Sequence, residues 1–272
     1  MKMLEKITSR DNPKIKLARR VREGMETHLI FIEGVRLAEE ALRSDVTVTQ
    51  AFFTDEFSQK LRNRELLDKT IDRAVDGFEV PDRVFSSIAD TDSSQGIILL
   101  AERPKHSRAL VERRLSTPGS LPLVLFLHEV NNPSNLGAIL RTGEAAGVAG
   151  VIVSKGSADV FSAKSIRASM GSAFRLPTVQ NAEIDDILAW ADSIGLRSTA
   201  ADIRAATAYT GIDWRIPRLL VFGSEAHGLS VDDTSRIEEL TCIPMQDYVE
   251  SLNLAVSCGI ILFEAVRQHS ST

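Results

Sequence analysis

Leu123-Val124-Leu125-Phe126-Leu127 is an apolar run with no polar interruption, and it decides the fold class. A strand with one wet face alternates in polarity, whereas an unbroken run suits a strand of a parallel sheet covered on both faces. Shortly after it comes Asn131-Asn132-Pro133-Ser134-Asn135-Leu136-Gly137-Ala138-Ile139-Leu140-Arg141-Thr142. Pro133 suits the first turn of a helix, where its missing N–H has no partner to lose. The helix pattern covers residues 134–146 and leads to a second strand over 150–153. Farther on, 184–194 reads as a helix, and 219–222 and 240–243 read as buried strands. Residues 251–268 read as a long closing helix that is apolar around most of its circumference. Strands alternating with helices predict an α/β domain built on a parallel sheet.

Upstream, residues 28–32, 46–53, 74–80 and 96–101 have strand patterns, and 35–42 and 57–68 have helical ones. They predict a smaller α/β domain over 1–102. Residues 103–122 contain Pro104, Pro118, Gly119 and Pro122 among basic residues and read as a linker, with a helical turn around 110–115. The second domain then spans 123–272. Only the last residues, 268–272, read as disordered.

The chain has 272 residues with a formal net charge of −5, which weakly disfavours a nucleic-acid partner. The charge is uneven, however. Residues 1–120 balance to +1 and 121–272 to −6, while residues 1–22 alone carry +6 through Lys2, Lys6, Arg10, Lys14, Lys16, Arg19, Arg20 and Arg22. Such a stretch can grip phosphate on an acidic protein, although a solvated helix surface has the same composition. The first ten residues have no apolar core, so no signal peptide is expected. No segment is long and apolar enough to span a bilayer. Cys242 and Cys258 lack metal or redox spacing and read as buried thiols, and no metal site is expected. Together these features predict a cytoplasmic protein.

Three segments carry candidate chemistry, each at the carboxyl end of an expected strand, where α/β folds bind ligands. The first is the 131–142 stretch, in which Asn135 and Arg141 are polar within a segment otherwise built for packing. The second is Val221-Phe222-Gly223-Ser224-Glu225-Ala226-His227-Gly228-Leu229-Ser230, a buried strand ending in two glycines around a carboxylate. The third is Ile243-Pro244-Met245 followed by Glu250-Ser251-Leu252-Asn253-Leu254-Ala255-Val256. There Ser251 is placed to cap the helix, and Asn253 sits within it as an amide that needs partners. Taken singly, the three read as a capped helix, a strand-to-helix turn and a second helix start, and His227 reads as an ordinary loop histidine. The glycines match neither the dinucleotide fingerprint nor a phosphate loop, which disfavours a nicotinamide oxidoreductase and a P-loop NTPase.

In this order and spacing the three segments closely resemble the signature motifs of the SpoU (TrmH-like) family of RNA methyltransferases, part of the SPOUT superfamily. The resemblance is strong over 123–267. Ile7-Thr8-Ser9-Arg10-Asp11-Asn12-Pro13-Lys14 and Phe31-Ile32-Glu33-Gly34-Val35-Arg36 resemble the substrate-binding domain of members that modify ribosomal RNA, a domain similar to a ribosomal-protein fold that binds RNA. Ser134, Ser224 and Ala226 depart from the Gly, Asn and Gly that are more usual at those places.

The resemblance implies a C-terminal α/β domain with a trefoil knot, a homodimer, and S-adenosylmethionine as cofactor. It implies transfer of a methyl group to a ribose 2′-hydroxyl of structured RNA, with ribosomal RNA expected first and transfer RNA second. Arg141, Asn135, Glu225, Ser251 and Asn253 then form the catalytic site. Phe222, Gly223, Ile243 and Leu252 hold the cofactor, with Gly223 required because a side chain would collide with it. Arg10, Lys14, Lys16, Arg19 and Arg36 contact RNA. Two alternatives keep the fold: a catalytically inactive knotted RNA-binding protein, and a methyltransferase acting on a base nitrogen.

Overall fold

The computed structural model describes residues 5–270; Lys2 of the basic stretch lies outside them. The elements begin with β1 (Glu5–Lys6), α1 (Pro13–Arg22), β2 (Leu29–Glu33), α2 (Val35–Arg43), β3 (Val48–Thr54), α3 (Asp55–Gln59), α4 (Arg64–Arg73), β4 (Asp76–Val80), α5 (Asp82–Phe85) and β5 (Ile97–Glu102). They continue with α6 (Arg108–Leu115), β6 (Leu121–Leu127), α7 (Pro133–Ala146), β7 (Val148–Ser154), α8 (Ala163–Ser169), α9 (Ser172–Arg175) and β8 (Thr178–Ala182). The last are α10 (Ile184–Ser193), β9 (Arg197–Ala201), β10 (Arg218–Phe222), α11 (Val231–Ser235), β11 (Glu239–Thr241) and α12 (Leu254–Ser270).

The chain divides into two units. One holds the residues up to Lys105 together with Phe161–Arg175, and the other holds His106–Val160 and everything from Leu176 onward. The stretch read as a linker therefore contains the two-turn helix α6, which belongs to the second unit.

The first unit is built on a five-stranded mixed sheet in the order β1-β4-β3-β5-β2. Helix α1 packs on it by a stripe of Ile15, Ala18 and Val21, and the core continues through Phe31, Phe52, Phe78 and Leu100. Helix α1 is thus a docked element whose opposite face carries the basic side chains. Ala163, from the returning segment, packs against the same core.

The second unit carries six parallel strands in the order β11-β9-β10-β6-β7-β8. Residues 123–127 of β6 are at most 1% exposed, as the unbroken apolar run requires. The chain runs outward from β6 through β7 and β8, then returns to place β10 on the other side of β6. The reversal leaves a crevice between the carboxyl ends of β6 and β10, where doubly wound sheets bind ligands.

Three expectations need correction. The single helix expected over 57–68 is broken, because Lys60 is extended and Asn63 turns its amide back to donate to the Phe57 carbonyl (3.1 Å), satisfying the end of α3. The closing helix starts at Leu254, not 251, because the Asn253 side chain accepts from the amides of Ala255 (2.9 Å) and Val256 (3.3 Å). Asn253, not Ser251, is therefore the cap, and it stands before the helix, not inside it. The same helix runs through Ser270, so residues 268–270 are ordered, while 271–272 lie outside the described residues.

Candidate active site

The turn after β6 is shaped before it meets any partner loop. Glu129 adopts a left-handed backbone, φ 56°. Ser154 and Ser157 hydroxyls at the end of β7 accept from the amides of Glu129 (2.8 Å) and Val130 (3.1 Å). Asn132 then caps α7, its Oδ1 accepting from Ser134 N (2.9 Å), with Pro133 in the first turn. This places Asn135 on the first turn of α7, facing the crevice.

From the other side, β10 ends at Phe222 and the chain closes a short hairpin. Ser224 N donates to Gly228 O (3.1 Å) and Gly228 N donates to Ser224 O (2.9 Å). Gly228 supplies the left-handed φ of 66° that this closure needs. Gly223 is required for another reason: a Cβ there would stand 2.2 Å from the Gly228 carbonyl carbon and 2.5 Å from Leu229 N. The hairpin's own backbone thus demands a glycine at 223, beside the expected clearance for a cofactor in the cavity that Gly223 also lines.

The hairpin presents Glu225. Its carboxylate accepts from the amides of Asn131 (3.2 Å) and Asn132 (3.2 Å) and from Asn135 Nδ2 (3.1 Å). A negative group is favoured there by the unpaired amides at the start of α7. Asn135 Oδ1 in turn accepts from Asn253 Nδ2 (3.0 Å), and Asn253 caps α12. Three side chains, one from each segment singled out in the sequence, thus form one relay.

The relay borders a cavity of about 640 Å³ at the carboxyl ends of β9, β10 and β11. Phe222, Gly223, Ile243, Leu252, Asn135, Glu225, Ser251 and Asn253 all line it. Arg141 does not. It lies exposed on α7, beyond Asn135. Sequence reasoning missed Asp202 and Arg204, which follow β9 and also line the cavity. The hydrogen bond from the Arg204 guanidinium holds the Asp202 carboxyl below the usual carboxylate range. Their Asp-x-Arg spacing was visible, but Asp213 and Arg215 share it away from the cavity, so spacing alone could not choose between them. Cys242 lines the cavity, while Cys258 is fully buried in α12 and its thiol is pushed far up by desolvation.

In the first unit the expected RNA contacts are on the surface but mostly engaged. Arg10 donates twice to the Arg83 carbonyl (3.0 and 2.8 Å), Lys14 pairs with Asp76 (3.0 Å) and Lys16 with Asp11 (3.4 Å). Arg19 is half-buried on α1. Arg36 is exposed at the start of α2 and, with Lys60 and Arg62, lines a second cavity of about 940 Å³. Among the described residues, no cluster of three or more His, Cys, Asp or Glu is placed to hold a metal ion, and no helix is long and apolar enough to cross a membrane.

Residues 122–263 match the SpoU rRNA Methylase family, and residues 12–99 match the MRM3-like substrate binding domain. The chain belongs to the SpoU rRNA methylase family. An uncharacterized tRNA/rRNA methyltransferase of Synechocystis sp. is 31% identical over 265 residues, covering 96% of this chain and 93% of that protein. The Bacillus subtilis 23S rRNA (guanosine(2553)-2′-O)-methyltransferase RlmP is 26% identical over 266 residues, covering 96% and 98%. A crystal structure of an AdoMet-bound rRNA methyltransferase from Sinorhizobium meliloti superposes with a TM-score of 0.83 at 30% identity, covering 97% of this chain and 98% of that one.

Proposed function

We propose that this protein transfers a methyl group from S-adenosylmethionine to a ribose 2′-hydroxyl of RNA, with ribosomal RNA as substrate. The observation that carries the reading is the Glu225–Asn135–Asn253 relay at the rim of the cavity, which joins all three signature segments in one site. The cavity suits the cofactor: its volume lies in the range of small-molecule sites, its walls mix Phe222, Ile243, Leu252 and Leu254 with backbone polar groups, and its carboxylates suit a cationic ligand. When bound there, S-adenosylmethionine supplies an electrophilic methyl group. Phe222, Gly223, Ile243 and Leu252 hold it, and Glu225, Asn135 and Asn253 keep the rim in register, with Ser251 completing the site beside them.

The acceptor hydroxyl is a poor nucleophile and must lose its proton as it attacks. A guanidinium keeps its proton at any accessible pH. The role of Arg141 is therefore to polarise the hydroxyl and clamp the neighbouring phosphate, with the proton passing to phosphate or water. Arg141 stands outside the lining of its own chain's cavity, which favours a dimer that brings it to a site. The surface of α12 supports this. Val256 and Phe263 are each 52% exposed, and a Cβ at Gly259, between them on that stripe, would meet Thr142 at 3.6 Å. The exposed stripe thus adjoins the turn of α7 that bears Arg141, and a two-fold pairing would cover it. Phe263→Glu should convert a dimer to monomer in sedimentation at micromolar concentration. A wild-type chain that is already monomeric there would overturn the pairing.

The reading carries the family's trefoil knot, formed by the loops after β10 and β11 with α12, and a cytoplasmic location with the RNA. It also divides the labour: residues 1–102, with Arg10, Lys14, Lys16, Arg19 and Arg36, hold RNA, and the acidic 123–272 part methylates it. Methyl transfer to ribosomal RNA from labelled S-adenosylmethionine tests the activity, with and without a 2′-deoxy nucleotide at the mapped target. Transfer should stop on the deoxy substrate. Continued transfer would mean a base methyltransferase, and no transfer to any RNA, with cofactor bound, an inactive binding protein.

A further inference from the structure

We infer that Arg204, held in place by Asp202, is the group that binds the carboxylate of the cofactor's amino-acid end, an inference that rests on the cofactor reading above. Among the described residues, the cavity lining includes three carboxylates, Asp202, Glu225 and Glu250, but only one Lys or Arg side chain, Arg204. S-adenosylmethionine presents two cationic groups and one carboxylate. The cationic groups are welcome near Glu225 and Glu250, whereas the carboxylate is repelled there and has a single guanidinium to meet.

Arg204 is also prepared for that task. Its Nε and Nη2 donate to the two carboxylate oxygens of Asp202 at 2.9 and 2.5 Å, and its backbone amide adds a third bond to Oδ1 at 2.8 Å. Asp202 is anchored in turn, its own amide donating to the Thr241 carbonyl (2.8 Å) at the end of the neighbouring strand β11. The Asp202 side chain is 6% exposed and that of Arg204 57%, so the pair turns its cationic partner outward. A guanidinium has five N–H donors, and Asp202 occupies one edge of it. The remaining donors are fixed in direction before any ligand arrives, which lowers the ordering cost of binding. Asp213 and Arg215 share the spacing and the bonds from the backbone amide and Nε to Oδ1 (3.2 and 2.7 Å), without the second edge of the fork, on a more exposed aspartate, and they do not line the cavity. They provide a control for the loss of an Asp-paired arginine outside the cavity.

The test is calorimetric titration of the full chain with three probes: S-adenosylhomocysteine, its decarboxylated analogue, which keeps the amine, and 5′-methylthioadenosine, which lacks both groups. The wild-type chain should prefer S-adenosylhomocysteine over the decarboxylated analogue. Arg204→Ala should weaken S-adenosylhomocysteine by about tenfold or more, the worth of a hydrogen bond to a charged group, while binding the other two probes as before. Arg204→Lys should restore part of the preference, since charge returns without the planar fork. Arg215→Ala should change nothing. The inference is overturned if Arg204→Ala binds S-adenosylhomocysteine like the wild type, if it loses all three probes alike, or if His227→Ala, at the tip of the opposing hairpin, removes the preference instead. A wild-type chain that binds none of the three overturns the cofactor reading itself.

Discussion

Asn253 performs two tasks with one amide, and a single substitution separates them. Its Oδ1 caps α12 and its Nδ2 donates to Asn135. Asn253→Asp keeps the cap, since aspartate caps as well as asparagine, but removes the donor. Asn135 must then turn an oxygen toward a carboxylate, either that of residue 253 or that of Glu225. Asn253→Ala loses both tasks. The cap is worth about 1 kcal/mol and the side-chain hydrogen bond about 1 kcal/mol, so the alanine variant should lose about 2 kcal/mol and the aspartate variant about 1. For a unit of this size each kcal/mol lowers the melting temperature by about 2–4 °C. Calorimetric melting should therefore place Asn253→Asp midway between wild type and Asn253→Ala, at drops of about 2–4 and about 4–8 °C. Methyl transfer to RNA should fall steeply in both variants. If the aspartate variant melts with the alanine variant, Asn253 is not the cap. If it turns over like the wild type, the relay is no part of the site.

Three further expectations follow from the geometry. Arg141→Ala should abolish methyl transfer and leave S-adenosylmethionine affinity within a few-fold, and Arg141→Lys should not rescue it fully; retained turnover in the alanine variant would remove Arg141 from the chemistry. Gly223→Ala should lower stability by about 3 kcal/mol, the upper range for overpacking, and weaken cofactor binding although its methyl group points into the hairpin, because the hairpin must open; unaltered melting would refute the close approach to Gly228. Burial holds the His106 imidazole below its ordinary value near 6.5, so on acidification the unfolded chain takes up a proton before the folded one. The stability this contributes is complete above about pH 6.5 and is lost as pH falls toward the folded value, so melting curves of His106→Gln should be less acid-sensitive than wild type in that window.

The elements legible in the sequence were those with strong period or strong chemistry. β6 and β10 announced themselves as unbroken apolar runs, and α7 by its proline and its periodic stripe. Two strands of the same sheet, β8 and β9, were not seen. Thr178-Val179-Gln180-Asn181-Ala182 and Arg197-Ser198-Thr199-Ala200-Ala201 contain small and polar residues, and what makes them strands is pairing to β7 and β10 supplied from elsewhere in the chain. The start of α12 was misplaced because Leu252 falls at helical spacing, whereas the true boundary is set by which side chain reaches the first free amides. The site residues were legible as types in an order, but their relay was not, since Glu225 and Asn131 are brought together only by strands that are not neighbours in sequence. The need for a glycine at 223 was legible, while the close approach of the Gly228 backbone was not, because no pattern shows what a missing methyl group would touch.

The return of Phe161–Arg175 to the first unit has a consequence for biosynthesis. A chain emerging from the ribosome makes β1 to β5 early, but the segment bearing Ala163, Ile166 and Phe174, residues that are buried or packed on apolar neighbours, comes only after α7 and β7. The first unit therefore waits, incompletely covered, while the centre of the second is being made. A construction that ends or begins near residue 100 would strand one partner without the other, exposing apolar surface on both fragments. The two units are consequently poor candidates for exchange as cassettes between relatives: a functional chimera would have to carry residues 161–175 along with the amino-terminal part, as a discontinuous pair inherited together.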